Sequence, residues 1–422
     1  MSSEATSETS SAGVRHVVVG AGLAAAGAVA AIREADPDAV VTVLGEEHHL
    51  PYERPGLSKD YLQGSSGADD LLVHDAAWYA EHDITVRQDV RVVEVDRAAH
   101  EVVTADGERI GYDRLLLATG SEPLRLPVAG ADLDGVLTLR TLEDSTAVKD
   151  AIASGGPIVV VGAGWIGLEV ASAARAAGVD VTVVHDASVP LQRVLGEMVG
   201  QRFADLATSA GVTLIGDASV EAFTGEGHVD GVRLGDGRTL PAAVVVLGVG
   251  IRPRTELAEA AGLQVDDGVV VDVDYRTADE AVYAVGDVAR AHDEWVGRAV
   301  RLEHYAAASD GGPVAGRAMV HGDGGRAVAP PFFWSDQFGA GLEYRGHADP
   351  TEHHVVVRST APASETGTPW FAFWHDAGRL VAAMHVDGWD DADTVKDLVA
   401  SHAVVDVVRL ADPQVPLADV RA

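Results

Sequence analysis

Two glycine-rich turns carry the first chemistry legible in this chain. Residues 15–25 read Arg15-His16-Val17-Val18-Val19-Gly20-Ala21-Gly22-Leu23-Ala24-Ala25, a β-branched run opening directly onto Gly20 and Gly22. Residues 157–161 lead in the same way into Gly162-Ala163-Gly164-Trp165-Ile166-Gly167. A chain that turns this tightly from strand to helix aims free N–H groups and the positive helix end at an anion, and a pyrophosphate suits the spacing. In each set the first glycine permits the turn and the second lets the backbone approach the phosphates. Ala25 stands where Gly167 closes the second set, and is still small enough for close helix–strand packing. Each unit then ends in a strand and a polar pair: 40–44 before Gly45-Glu46, and 181–184 before His185-Asp186. A carboxylate at such a strand end accepts ribose hydroxyls, the role expected of Glu46. Two such sites in one chain point to two dinucleotides, most simply a flavin and a nicotinamide nucleotide.

The elements that must position these turns follow from the pattern. Helices are expected over 24–33 and 168–177, the latter stopped by Gly178. Buried strands are expected at 114–120, ending Ala118-Thr119-Gly120, at 244–250, spanning Gly248 and Gly250, and at 281–287, ending Gly286-Asp287. An aspartate after a strand can hold a polyol hydroxyl, although Gly-Asp alone reads as readily as a turn or N-cap. Residues 86–103 alternate enough for a small antiparallel element with a turn at Asp106-Gly107, and Gly235-Asp236-Gly237 marks a matching hairpin. After Pro330-Pro331 the pattern changes: strands at 355–357, 370–374 and 380–386 and a helix at 393–401 predict a separate α+β domain.

Composition narrows the function. The chain has 422 residues, enough for two or three domains, and no cysteine, which removes disulfide, thiolate–metal and cysteine-nucleophile chemistry. Its net charge of −34 disfavours nucleic acid and anionic membrane surfaces. No apolar run reaches the length of a membrane span. Residues 1–13 lack the features of a signal peptide and read as a disordered tail, so a cytoplasmic location is expected. Lys59, Lys149 and Lys396 are the only lysines.

Further segments carry a family resemblance: Pro51-Tyr52-Glu53-Arg54-Pro55-Gly56-Leu57-Ser58-Lys59, Gly162 to Glu169, Tyr283 to Asp287 and Phe333-Trp334-Ser335-Asp336-Gln337. With them the chain resembles the FAD-dependent, NAD(P)H-using ferredoxin reductases of bacterial cytochrome P450 and Rieske oxygenase systems. The resemblance implies an α/β fold of glutathione-reductase type: two Rossmann-like dinucleotide-binding domains plus a C-terminal α+β domain. The expected FAD-binding domain is 14–120 with 250–329, the NAD(P)-binding domain 121–249, and the C-terminal domain 330–422.

The resemblance also implies residue roles. Gly20, Gly22, Leu23, Ala24 and Ala25 would hold the FAD pyrophosphate, Glu46 its ribose, and Val90 would flank the adenine. Arg54, Lys59, Ala118, Thr119, Gly120 and Arg140 would line the flavin tunnel. Gly286 and Asp287 would hold the ribityl chain, with Glu303, His304 and Tyr305 near the pyrimidine end. Gly162, Gly164, Trp165, Ile166, Gly167, Gly248 and Gly250 would hold the nicotinamide nucleotide, with Glu169 beside its nicotinamide. Pro55-Gly56 departs from the usual Pro-Pro, Ala307 and Gly311 replace larger polar residues, and His185 replaces the usual acid.

Hydride transfer needs stacking in a dry pocket rather than a general base. Lys59 is the candidate cation beside the flavin and Glu169 its candidate partner; an ordinary surface lysine and helix carboxylate are the alternatives. Trp334 either covers the flavin and aids electron exit or is plain core. His48-His49 and His353-His354 lack metal-ligand spacing. NADH is favoured over NADPH, with the choice resting on His185, since Asp186 adds negative potential and the next arginine is Arg193. The implied function is hydride in from NADH and single electrons out to a small iron–sulfur ferredoxin, or a rubredoxin, by a monomer or homodimer. A cysteine-independent NADH oxidase, a quinone reductase and a non-catalytic redox-gated binding protein are the alternatives.

Overall fold

The computed structural model describes residues 13–362, 365 and 367–422; nearly all of the expected N-terminal tail lies outside them. Three five-stranded sheets organise the chain. The first is parallel, in the order Val282–Ala284, Arg114–Leu117, Arg15–Val19, Val40–Leu44, Ile84–Arg87. Its central strand buries Val17, Val18 and Val19, as a strand covered on both faces must. The second sheet is also parallel, in the order Thr213–Ile215, Val181–Val184, Ile158–Val161, Val244–Leu247, Val136–Leu137. The strand Val282–Ala284 returns to the first sheet after the second is complete. At the crossings between the two units Ser121–Pro123 pairs antiparallel with Ile251–Pro253.

Helix Leu23–Ala35 covers the first sheet and is itself crossed by helix Tyr305–His321. The crossing is made of small residues. A Cβ on Gly312 would stand 2.4 Å from the Ala24 carbonyl oxygen, and one on Gly316 2.3 Å from that of Ala28. In the second unit helix Trp165–Ala176 begins three residues earlier than expected, and Gly178 beyond its end has φ +79°. The expected antiparallel element resolves into Val92–Asp96, Glu101–Thr104 and Arg109–Gly111, with Asp106-Gly107 at the second turn. Ile84–Arg87 leaves it for the edge of the parallel sheet, because its pairing with Val41 to Leu44 buries Ile84.

The third sheet is antiparallel, in the order Phe332–Gln337, Ala340–Gly346, Arg379–Val386, Trp370–Asp376, His354–Ser359. Its first two strands are a hairpin that the sequence pattern missed. One face packs Phe333, Trp370 and Trp374 into a core shared with Leu168 and Phe203 of the second unit. The other buries Phe371 and Phe373 under helix Ala392–Ala400. No helix among the described residues is long and apolar enough to cross a membrane.

Candidate active site

The two turns are built alike. Gly20 has φ +107° and Gly162 φ +104°, values at which a side chain is strained. A Cβ on either would lie 2.2 Å from a carbonyl oxygen of the adjoining strand end, that of Ala118 or Gly248. Gly22 and Gly164 are the N-cap residues of their helices, and neither helix receives a side-chain cap. The Cβ direction of Gly22 meets nothing within 4 Å, and that of Gly164 only the Gly248 oxygen at 3.9 Å. Each helix therefore opens on uncapped amides above a backbone with room for a phosphate, a cradle that fits a dinucleotide. Gly167 closes the second set against the Gly162 oxygen, which a Cβ would meet at 2.1 Å; Ala25, at the matching place in the first set, is fully buried.

Around the first turn the expected flavin residues form one chain of contacts. Arg140 Nη2 donates to Asp287 Oδ2 at 2.8 Å, and Ser121 Oγ donates to the same oxygen at 2.7 Å. Burial and the neighbouring Arg54 charge hold the Arg140 pKa below its usual value. Arg54 bonds Glu47 at 2.6 Å, the Tyr52 hydroxyl at 3.1 Å and the Arg140 carbonyl. Thr119 donates its hydroxyl to the Arg254 carbonyl at 2.9 Å, and Gly120 lies beside the Arg140 guanidinium. Gly286 adopts φ +77° against Ala24. At the ribose end Glu46 pairs with Arg254 at 2.6 Å and Arg91 at 3.6 Å, and half-buried Val90 donates its amide to Gly45 O at 2.7 Å.

At the other end Tyr305 donates its hydroxyl to Glu53 Oε1 at 2.7 Å and packs edge-on to Trp334 at 5.1 Å. Burial, helped by Glu53, pushes the Tyr305 phenol up to about 12. Burial raises Glu303 and pushes the His304 imidazole, packed on Phe333, down to about 4. Glu303 lies beside Arg301.

Lys59 and Glu169 meet, as the sequence led us to expect, with Nζ 2.7 Å from Oε1. The structure adds what the sequence did not show. Ser335 donates to Glu169 Oε1 at 2.6 Å, Ser58 donates to Oε2, and Lys59 also reaches Asp336 at 3.2 Å. Glu169 is 5% exposed. A carboxylate so buried is tolerable only with its lone pairs occupied. The three serving groups come from three places: the 3₁₀ turn Pro55–Ser58, Lys59 after it, and the strand Phe332–Gln337. Only the Phe333–Gln337 motif pointed at Ser335 and Asp336.

The rim of the second turn is less enclosed. Ile166 is 41% exposed, Trp165 packs on Phe333 at 5.0 Å, and Gly250 has φ +109°. The side chain of His185 is buried, and burial lowers its pKa. Asp186 and Arg193 form an exposed pair at 2.7 Å. The histidine pairs find carboxylate partners: His48 with Asp89 and His49 with Glu143, while His353 takes the Asp349 amide. No cluster of three metal-ligating side chains occurs among the described residues.

Comparison with known proteins agrees with this geometry. The pyridine nucleotide-disulphide oxidoreductase family matches residues 14–312, and a reductase C-terminal domain matches 332–421. The chain is 39% identical over 404 residues to the anthranilate 1,2-dioxygenase system ferredoxin–NAD(+) reductase component of Burkholderia cepacia, covering 95% of this chain and 98% of that one. It is 33% identical to putidaredoxin reductase of Pseudomonas putida over 96% of each. The reductase in the crystal structure of the covalent putidaredoxin reductase–putidaredoxin complex superposes with TM-score 0.91 at 32% identity, over 97% of this chain and 98% of that one. A ferredoxin reductase for the CYP199A2 system of Rhodopseudomonas palustris gives TM-score 0.89 at 32% identity, covering 97% and 100%. The chain belongs to the pyridine nucleotide-disulphide oxidoreductase family and also carries a reductase C-terminal domain.

Proposed function

We propose that this protein is a ferredoxin reductase, taking hydride from NADH and delivering electrons one at a time to a small iron–sulfur ferredoxin that feeds a Rieske oxygenase or cytochrome P450. The observation that carries this reading is the pair of like-built phosphate cradles in one chain, bridged by the Lys59–Glu169 contact. The chain has no cysteine. The disulfide chemistry in the family's name is therefore absent here, and an acceptor taking electrons without a thiol relay fits.

FAD, held at the first turn, supplies the conversion of a two-electron donor into a one-electron donor. The remaining work belongs to the chain. Gly20, Gly22 and the Leu23–Ala35 helix bind the pyrophosphate, Glu46 and Val90 the adenosine end, and Asp287, fixed by Arg140 and Ser121, the polyol. Glu169, held by Ser58 and Ser335, fixes the Lys59 ammonium, whose charge would favour the reduced, anionic form of a bound flavin. Tyr305 and Trp334 close the opposite side and keep water out. We assign residues 14–120 with 250–329 to the flavin domain, 121–249 to the nicotinamide-nucleotide domain and 330–422 to the C-terminal domain.

Turnover of NADH with a [2Fe–2S] ferredoxin, followed through cytochrome c, tests the reading. Cytochrome reduction that requires the ferredoxin is expected. NADH consumption that is independent of ferredoxin and tracks oxygen would place the protein among the cysteine-independent oxidases instead.

A further inference from the structure

Four matched pairs of backbone hydrogen bonds bring the two ribose-facing turns into register. Gly20 N donates to Leu44 O at 2.9 Å, and Gly162 N to Val184 O at 2.8 Å. Gly45 N donates to Arg87 O at 2.9 Å, and His185 N to Ile215 O at 3.0 Å. Val90 N donates to Gly45 O at 2.7 Å, and Ala218 N to His185 O at 3.0 Å. Asp89 N donates to Glu47 O at 3.3 Å, and Asp217 N to Ala187 O at 2.9 Å. Asp89 and Asp217 share a left-handed backbone, φ 58° and 51°. Leu44 therefore matches Val184, Gly45 matches His185, and Glu46 matches Asp186.

His185 thus occupies the place of a glycine. Its ring turns under the neighbouring strand end, where a Cβ on Gly216 would lie 3.1 Å from Cε1, and its Nδ1 has no hydrogen-bond partner. Asp186 stands where Glu46 stands, with its side chain 63% exposed and held by Arg193, which is 76% exposed. The parallel extends to the arginine, since Glu46 is held by Arg254 at 2.6 Å. Asp217 matches Asp89 and so does not set the two turns apart.

We propose that Asp186, rather than His185, accepts the ribose hydroxyls of the nicotinamide nucleotide, and that its ion pair with Arg193 sets the preference for NADH over NADPH. The inference rests on reading the second turn as the nicotinamide-nucleotide site. Asp186 presents an acceptor for ribose hydroxyls that repels a 2′-phosphate, and it occupies the Arg193 guanidinium, which a 2′-phosphate could otherwise use. Replacing the carboxylate by an amide does two things at once: it exchanges a charged acceptor for a weaker neutral one and frees Arg193.

Direct binding of NAD+ and NADP+ to the oxidised, flavin-loaded protein, measured by calorimetry, tests this without turnover. Retained flavin absorbance reports folding of each variant. Asp186→Asn is expected to weaken NAD+ by about tenfold or more and to tighten NADP+, the scale of a charge-assisted hydrogen bond. Adding Arg193→Gln to Asp186→Asn is expected to remove the gain for NADP+. Unchanged affinities in Asp186→Asn, or a selectivity ratio that moves with His185→Asn instead, would overturn the proposal while leaving the reductase reading in place. Failure of the unaltered protein to bind either nucleotide would overturn both.

Discussion

The two dinucleotide units share a backbone turn and differ in what surrounds it. The first is enclosed. Its helix is pinned beneath Tyr305–His321 through glycine contacts, and its acidic residue is pinned by Arg254 from a segment 208 residues away in sequence. Its Asp287 is fixed by two donors. The second is open at its rim, with Ile166, Val194, Met198, Asp186 and Arg193 all substantially exposed. It is tied to the first unit at Glu169 and to the third sheet through the core of Leu168 and Phe203. The difference matches two tenancies: a group that stays bound through turnover needs a closed cradle, whereas a nucleotide that arrives, reacts and leaves needs an open one.

The sharpest way to break this comparison is to block each cradle in turn. Gly20→Val should yield protein that does not retain flavin. Gly162→Val should retain flavin and lose nicotinamide-nucleotide affinity by more than about a hundredfold, because each side chain would meet a carbonyl oxygen at a strained φ. Flavin content by absorbance and nucleotide binding by calorimetry separate the two. Loss of flavin in both variants would mean that the units are not independent.

Next in size is the bridge between the units. Glu169→Ala leaves Lys59, whose side chain is only 13% exposed, facing the exposed carboxylate of Asp336 alone. A loss of about 3 kcal/mol is expected in denaturant unfolding, with a smaller loss for Glu169→Gln, whose amide oxygen still accepts from one of the two serines.

The enclosed unit also predicts an acid sensitivity. His16 lies in its central strand, is 1% exposed, and neither ring nitrogen has a partner. Burial lowers its pKa from 6.5 to about 4. Between those values the unfolded chain binds the proton and the folded chain does not. The His16 contribution to stability should therefore fall as pH drops from 6.5 towards 4, by at most about 3 kcal/mol, and no further below, with His304 adding a loss of the same sign in the same window. A His16→Leu variant should make that slope shallower in urea midpoints taken across the window, leaving the part due to His304.

The smallest effects belong to packing and to the open rim. Gly312→Ala overpacks the helix crossing, and a loss of about 1–3 kcal/mol is expected. Ile166→Ser should leave the unfolding midpoint within about 0.5 kcal/mol of the parent protein.

Much of this site could be read before the fold. Gly20, Gly162 and their partners were legible because backbone strain permits few residue types there. The Lys59–Glu169 pair was legible only through a family motif, since 110 residues separate the two. Ser58, Ser335 and Asp336 were not assigned roles, because a serine's role depends on what the fold sets opposite it. The hairpin 332–346 was hidden because the buried face of its first strand mixes Phe333 with Ser335 and Gln337, so the apolar–polar alternation that marks a strand is broken. His185 was expected at the ribose by counting from the strand, and its burial appears only when the neighbouring strand end is placed over it.

The central claim is that two separate cradles in one chain hand reducing equivalents from one to the other. Anaerobic stopped-flow mixing of NADH with the flavin-loaded protein and with its Gly162→Val variant tests it most directly. Rapid bleaching of the flavin band is expected in the parent protein and none in the variant, although both start equally yellow. Equal bleaching in both, or none in the parent, would contradict it.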